Sequence, residues 1–247
     1  MSMFRANGLD LHVEEVAPIG AQRGTAVLIH GMTSDSMASW FLTLAHPLAE
    51  AGLRVLLYDL RGHGRSARPA TGYRLADFVG DLAALLAHWA PGEPVHLLGN
   101  SFGGTVAFAY AAKRPAEVAG IVTVESSPPT AAWFARMRDR LHAALRNLPG
   151  MAQTRRTKDA LALLTGTTIV SELPASDLPD VTGVTCPVLC LYGAESRVHE
   201  LAADTERLLP QSKHVIIPGQ KHTLLINAPG EVRAEVLPWL TATTAAT

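Results

Sequence analysis

Short runs of consecutive apolar residues alternate along the chain with longer segments in which apolar residues recur every three or four positions. AVLIH (26–30), RVLLYDL (54–60), VHLLG (95–99), IVTVE (121–125), PVLCLYG (187–193) and KHVIIPG (213–219) read as strands. Between 75 and 89 the apolar residues are Leu75, Phe78, Val79, Leu82, Leu85, Leu86 and Trp89, the spacing of one helix face. Further helices are expected over 39–51, 102–113, near 199–209 and near 224–240. Ahead of them, FRA and LDLHVEEV flank Asn7-Gly8, a dipeptide suited to a tight hairpin turn with positive φ. Strands that are apolar throughout, alternating with helices, imply a mostly parallel sheet covered on both faces. The expected architecture is therefore α/β, with eight strands.

The alternation stops between 127 and 182. That stretch has no strand pattern, several helical segments and five prolines. It reads as a small helical lid inserted after the sixth strand, too short to be an independent domain. Residues 1–126 and 183–247 then form the core.

Composition narrows the function classes. The 247 residues are 48% hydrophobic and 17% charged, which excludes a disordered chain. The net charge of -1 supplies no bulk attraction to nucleic acid or to an anionic membrane. No apolar run approaches the about 20 residues of a membrane span. The opening MSMFRANGLDLHVEE is too polar for a signal-peptide core, so a soluble, cytoplasmic protein is expected. Cys186 and Cys190 share a strand, their Cα atoms roughly 13 Å apart, and are expected to stay reduced. Neither a metal-ligand cluster nor a nucleotide-binding loop occurs, and no cofactor is expected.

The chemistry concentrates at Gly99-Asn100-Ser101-Phe102-Gly103-Gly104, between a strand and a helix. This is a G-x-S-x-G elbow in the context it requires: a sharp turn lifts the serine hydroxyl clear of the sheet, and the glycines allow close backbone approach. His30-Gly31-Met32 follows the AVLIH strand, and the backbone amide of Met32 can pair with that of Phe102 as an oxyanion hole. Asp59-Leu-Arg-Gly-His-Gly-Arg-Ser66 reads as a structural loop in which acid and arginine brace each other. His222, in PGQKHTLL after the last strand, has the sequence context of a general base. His12 and His214 lie in strands, His88 on a helix, and His30 and His63 in loops, where histidines are usually structural.

HGM…W, DLRGHGRS, GNSFGG, LYGAES and GQKH occur in an order that resembles the α/β-hydrolase superfamily over nearly the whole chain. The resemblance implies acyl chemistry on Ser101 with His222 as base. It also implies an acid after the seventh strand, in G-x-x-D, where this chain has Gly193-Ala194-Glu195-Ser196. Serine cannot stabilise an imidazolium by charge. Glu125 at the end of IVTVE is the leading substitute, since some relatives, certain haloalkane dehalogenases among them, carry their acid after strand six. Glu195, Asp204 along the following helix, and a Ser-His pair without an acid remain alternatives. Dehalogenase chemistry itself needs a carboxylate at the elbow, which Ser101 excludes. Asn100 gives the elbow a partial resemblance to carbon–carbon bond hydrolases.

Between 131 and 160, Arg136, Arg138, Arg140, Arg146, Arg155, Arg156 and Lys158 face only Asp139 and Asp159. That basic segment suits an anionic or carrier-bound acyl group, or forms a solvated helix face. Trp133, Phe134 and Met137 are expected either to roof the substrate pocket or to dock the lid. The expectation for function is a serine hydrolase acting on a small-molecule ester or thioester. The alternatives are a ligand-binding protein, an acyl transferase or cyclase on the same fold, and a carbon–carbon bond hydrolase.

Overall fold

A computed structural model describes residues 2–150 and 154–244. Strands β1 (Ser2–Ala6) and β2 (Leu9–Val16) form the expected hairpin, with φ of 48° at Asn7 and 79° at Gly8. The other strands are β3 (Gly24–Ile29), β4 (Leu53–Tyr58), β5 (Val95–Asn100), β6 (Val118–Val124), β7 (Val188–Gly193) and β8 (Ser212–Ile217). They form one eight-stranded sheet in the order β1-β2-β4-β3-β5-β6-β7-β8. From β4 to β8 every neighbouring pair is parallel, and β2 runs antiparallel to both β1 and β4. The chain steps from β3 outward to β4 and then back across to β5. Loops following β3 and β5 therefore meet at the carboxyl edge of the sheet, at the switch point where α/β folds gather their sites.

Several strands end earlier than the apolar pattern predicts. β3 stops before His30, β4 before Asp59, and β6 before Glu125. Each of those polar residues turns out of the sheet into a carboxyl-edge loop.

Helices cover both faces. α1 (Ala38–Trp40) and α2 (His46–Glu50) are joined by a π-helical segment, Phe41–Ala45, and together fill the expected helix. α3 (Leu75–Trp89) and α4 (Phe102–Lys113) match their periodicity. α5 (Ala131–Asn147), α6 (Arg155–Gly166) and α7 (Ile169–Glu172) form the 127–182 insertion, which has no strand among its described residues. α8 (Ala202–Leu208) follows a 3-10 turn, His199–Leu201. The single helix expected near 224–240 is divided into α9 (Leu224–Asn227) and α10 (Pro229–Thr244). The break falls at Ala228, where φ is -133° and ψ is 49°, because the proline ring that follows disfavours a helical residue before it.

Strand residues alternate between two cores. Val27, Ile29, Leu56, Tyr58 and Leu97 face the layer built from α3, α4 and the insertion. Ala26, Leu28, Val55, Leu57, Val122 and Leu189 face α1, α2 and α10. This two-sided burial explains why the strands are apolar without alternation. Both cysteines are free and buried, and burial pushes each thiol up to about 11.

The loop after β4 corrects one expectation. Asp59 and Arg61 do not brace each other. The Asp59 carboxylate accepts from His12 Nδ1 at 2.9 Å and from the amides of Met37 and Arg65, each at 3.0 Å. Arg61 points the other way and forms a buried fork on Asp81 of α3, with 2.7 Å from Nε to Oδ2 and 2.5 Å from Nη2 to Oδ1. Two residues apart in the chain, the acid and the base pin different neighbours.

Candidate active site

Ser101 sits between β5 and α4 with φ 50° and ψ -117°. A non-glycine residue in that region is strained and persists only where its surroundings hold it. They do so here by contact. A Cβ on Gly99 would lie 2.2 Å from the Gly104 nitrogen, and one on Gly103 would lie 2.1 Å from the Ile29 carbonyl oxygen. The Ser101 amide donates to the Val124 carbonyl at 2.8 Å, which fastens the elbow to the end of β6.

His222 lies in the loop after β8. That loop is tied to β7, since the Ala194 amide donates to the Ile217 carbonyl at 3.0 Å and the Glu195 amide to the Gln220 carbonyl at 2.9 Å. The Ser101 hydroxyl is 3.1 Å from His222 Nε2. On the other side of the ring, Nδ1 is 3.1 Å from Glu125 Oε2.

Glu125 has no solvent exposure and a φ of 56°. A buried carboxylate needs donors to offset lost hydration, and three supply them. The Gly193 amide donates to Oε1 at 2.5 Å. The Ser196 hydroxyl and His222 Nδ1 both meet Oε2. Ser196 therefore stands where the resemblance led one to expect an aspartate, and its hydroxyl is spent on Glu125. Of the alternative acids, Glu195 is exposed and 4.0 Å from Lys221 Nζ. Asp204 is 3.3 Å from Arg207 on α8. Neither carries a contact to His222.

The loop after β3 closes the other side. Met32 and Phe102 have backbone amides with no acceptor among the described residues, and both residues line the cavity at Ser101. Asp35 shapes this loop. Its Oδ2 accepts from the Gly31 amide at 2.7 Å and from Asn100 Nδ2 at 3.0 Å, and its Oδ1 accepts from the Ser36 amide at 2.9 Å. Burial alone would raise this carboxyl. The His30 ring, those two amides and Asn100 together hold it below the usual carboxylate range. Thr33, with φ 66°, donates its amide to His63 Nε2 at 2.9 Å. His63 Nδ1 in turn donates to the Arg61 carbonyl at 2.9 Å, so the ring is neutral. Burial, with a smaller push from His30, drives His63 down to about 3. Sequence reading missed Asp35; its only signal was an acid four residues beyond Gly31.

A cavity of about 270 Å³ opens in front of Ser101. Met32, Met137, Leu141, Leu173 and Leu225 make much of it apolar, and Arg140 and Arg156 enter it from the insertion. Of the three residues expected to roof a pocket, only Met137 lines this one. Phe134 is packed in the core, and Trp133 donates its Nε1 hydrogen to Thr105 on α4 at 2.6 Å. Those two dock the insertion. Arg140 Nη1 lies 2.8 Å from His222 Nε2, a contact that the basic composition of the segment did not specify.

Among the described residues, no group of three or more His, Cys, Asp or Glu side chains is placed to hold a metal ion, and no helix is long and apolar enough to cross a membrane.

The chain is similar to known proteins in sequence and in fold. A protein-family model described as alpha/beta hydrolase fold matches residues 26–165. Lipase LipV of Mycobacterium tuberculosis is 39% identical over 137 residues, which cover 56% of this chain and 49% of the lipase. The 2-(acetamidomethylene)succinate hydrolase of Mesorhizobium japonicum is 29% identical over 228 residues, covering 79% of this chain and 80% of that enzyme. The chain spans about half the length or less of the first curated relatives it matches. A solved carboxylesterase structure from Nitrososphaera gargenis superposes with a TM-score of 0.77 over 100% of both chains at 22% identity, a likeness of fold.

Proposed function

The chain belongs to the α/β-hydrolase fold family, and from that premise we propose that it hydrolyses a carboxylic ester or thioester of a small molecule through an acyl-enzyme on Ser101. The observation that carries this reading is the unbroken relay from Ser101 Oγ through both ring nitrogens of His222 to Glu125, with 3.1 Å at each step.

In the proposed cycle, His222 Nε2 takes the Ser101 proton as Oγ attacks the carbonyl carbon. Glu125 accepts from Nδ1, which fixes the productive tautomer and stabilises the imidazolium that forms. The amides of Met32 and Phe102 donate to the developing oxyanion. Phe102 also opens α4, so the positive end of that helix favours the charge. The imidazolium then returns its proton to the leaving oxygen or sulfur. Water, deprotonated by the same nitrogen, attacks the acyl carbon and releases the acid and free serine. The apolar cavity wall accommodates the acyl chain.

The test is intact-mass analysis after exposure to a fluorophosphonate, with Ser101→Ala as control. One adduct per chain, absent from Ser101→Ala, is the expected result. No adduct on folded protein at neutral pH overturns the acyl-enzyme reading and favours a non-hydrolytic role for the pocket.

A further inference from the structure

Arg140 makes a contact, 2.8 Å from Nη1 to His222 Nε2, that a general base has no evident use for. A guanidinium only donates, and a neutral imidazole that donates from Nδ1 has a single lone pair, on Nε2. Glu125 takes the Nδ1 hydrogen of His222. Ser101 Oγ at 3.1 Å and Arg140 Nη1 at 2.8 Å therefore compete for the one lone pair that must receive the serine proton. As long as Arg140 holds it, that lone pair is not free for the serine proton.

Its neighbours on α5 do not behave this way. Arg136 pairs with Glu200 at 2.6 Å, and Arg138 with Asp139 at 3.3 Å. Among the described residues no carboxylate lies within ion-pair distance of Arg140. Arg156, the other cation lining the same cavity, spends its Nε hydrogen on the Ser34 carbonyl at 2.8 Å and likewise has no carboxylate partner among the described residues. Two guanidinium groups thus enter one largely apolar cavity with no carboxylate within ion-pair distance of either among the described residues; Asp35, which also lines it, spends its oxygens on the Gly31 and Ser36 amides and on Asn100. Planar guanidinium groups match carboxylates by two parallel hydrogen bonds, a stronger interaction than a neutral acceptor offers.

We propose that Arg140 is a latch on His222 released by substrate: the ester or thioester carries a carboxylate a few bonds from the scissile carbonyl, and this carboxylate draws the guanidinium off Nε2 and frees the base. The closeness of Arg140 to the reacting atoms places the anion on the acyl group itself rather than at the end of a long carrier arm. A neutral ester of the same length meets the latched state and gains nothing from opening it. The ligand shifts the latch only through its stronger contact with the open position, so recognition and activation are one event. The proposal rests on the acyl-enzyme reading above.

The experiment compares kcat and KM for p-nitrophenyl butyrate and for the p-nitrophenyl monoester of succinic acid, which replaces the terminal methyl by a carboxylate. Wild type, Arg140→Ala, Arg140→Lys and Arg138→Ala are measured, each checked for a wild-type circular dichroism spectrum. Wild type is expected to favour the succinate monoester at least tenfold in kcat/KM. Arg140→Ala is expected to abolish that preference, chiefly through a raised KM for the monoester, while turnover of the butyrate rises severalfold. Arg140→Lys should recover part of the preference, and Arg138→Ala, one charge fewer on the outer helix face, should keep all of it. A wild-type preference for the butyrate overturns the proposal. So does an Arg140→Ala variant that slows both esters equally or leaves their ratio unchanged. Fluorophosphonate labelling separates the failures. Labelled Ser101 with no carboxylate preference sinks the latch alone, whereas no labelling of folded wild type sinks the acyl-enzyme reading and the latch with it.

Discussion

Ser196 donates its hydroxyl hydrogen to Oε2 of Glu125, the same oxygen that faces His222 Nδ1. The turn after β7 therefore contributes a neutral donor where an acid was expected, and the carboxylate arrives from the end of the adjacent strand. Under the proposed mechanism Glu125→Gln leaves His222 without a charged partner and free to take the wrong tautomer. A loss of the order of 10⁴ in kcat is expected, by analogy with amide replacement of a triad acid. Ser196→Ala should fall less than tenfold in kcat, but it removes a hydrogen bond to a buried charge and should cost about 1.5–3 kcal/mol in urea unfolding. A Glu125→Gln variant with near-wild-type kcat on any ester that the wild type turns over would remove Glu125 from the mechanism.

Gly103 offers a test of the elbow that touches no functional side chain. Its missing Cβ would fall 2.1 Å from the Ile29 carbonyl, a backbone atom that cannot rotate aside. Gly103→Ala is expected to separate α4 from β3, lowering the melting temperature by roughly 10 °C or more, as a loss of a few kcal/mol does in a domain of this size. An alanine variant that melts with wild type would mean the elbow yields easily.

Acid should weaken the fold through His63. The neutral ring accepts the Thr33 amide, which the imidazolium cannot do. Its folded value of about 3 lies below the ordinary 6.5. The contribution is therefore complete above pH 6.5 and is lost as the pH falls toward 3, at about 1.4 kcal/mol per pH unit. His96, pushed by burial down to about 4, acts with the same sign. Urea unfolding of His63→Gln between pH 4 and 7 should show a pH slope smaller by about that amount. An unchanged slope would show that His63 does not titrate on unfolding.

The Arg61–Asp81 fork is a structural pair with both side chains buried. Desolvation raises the Asp81 carboxyl, and Arg61, with Asn7, pulls against it. Removal of either partner alone should cost about 3–5 kcal/mol because it strands a buried charge, and removal of both should cost well under the sum. A double-mutant cycle by chemical denaturation measures the difference. Strict additivity would mean that the two charges are held independently.

The alternation of apolar runs and helical periodicities was enough to specify the eight strands and the hairpin at Asn7-Gly8. Those features follow from burial on two faces of a sheet, and burial is written into each segment locally. Ser101 was legible for a similar reason: the elbow's glycines are adjacent in the chain, and their steric demand acts within a few residues. His222 was legible from its place after the last strand. The partner of His222 was not. Glu125, Glu195 and Asp204 all carry the right charge, and only the parallel pairing of β6 with β7 brings the end of one strand under the loop that follows the other. Ser196 looked like a loss until its hydroxyl met Glu125. Arg140 was one of seven cations in a basic segment, and nothing local separates it from Arg138. Three-dimensional packing turns one of them onto His222 and the other to solvent, because residues distant in the chain meet only once the layers have closed.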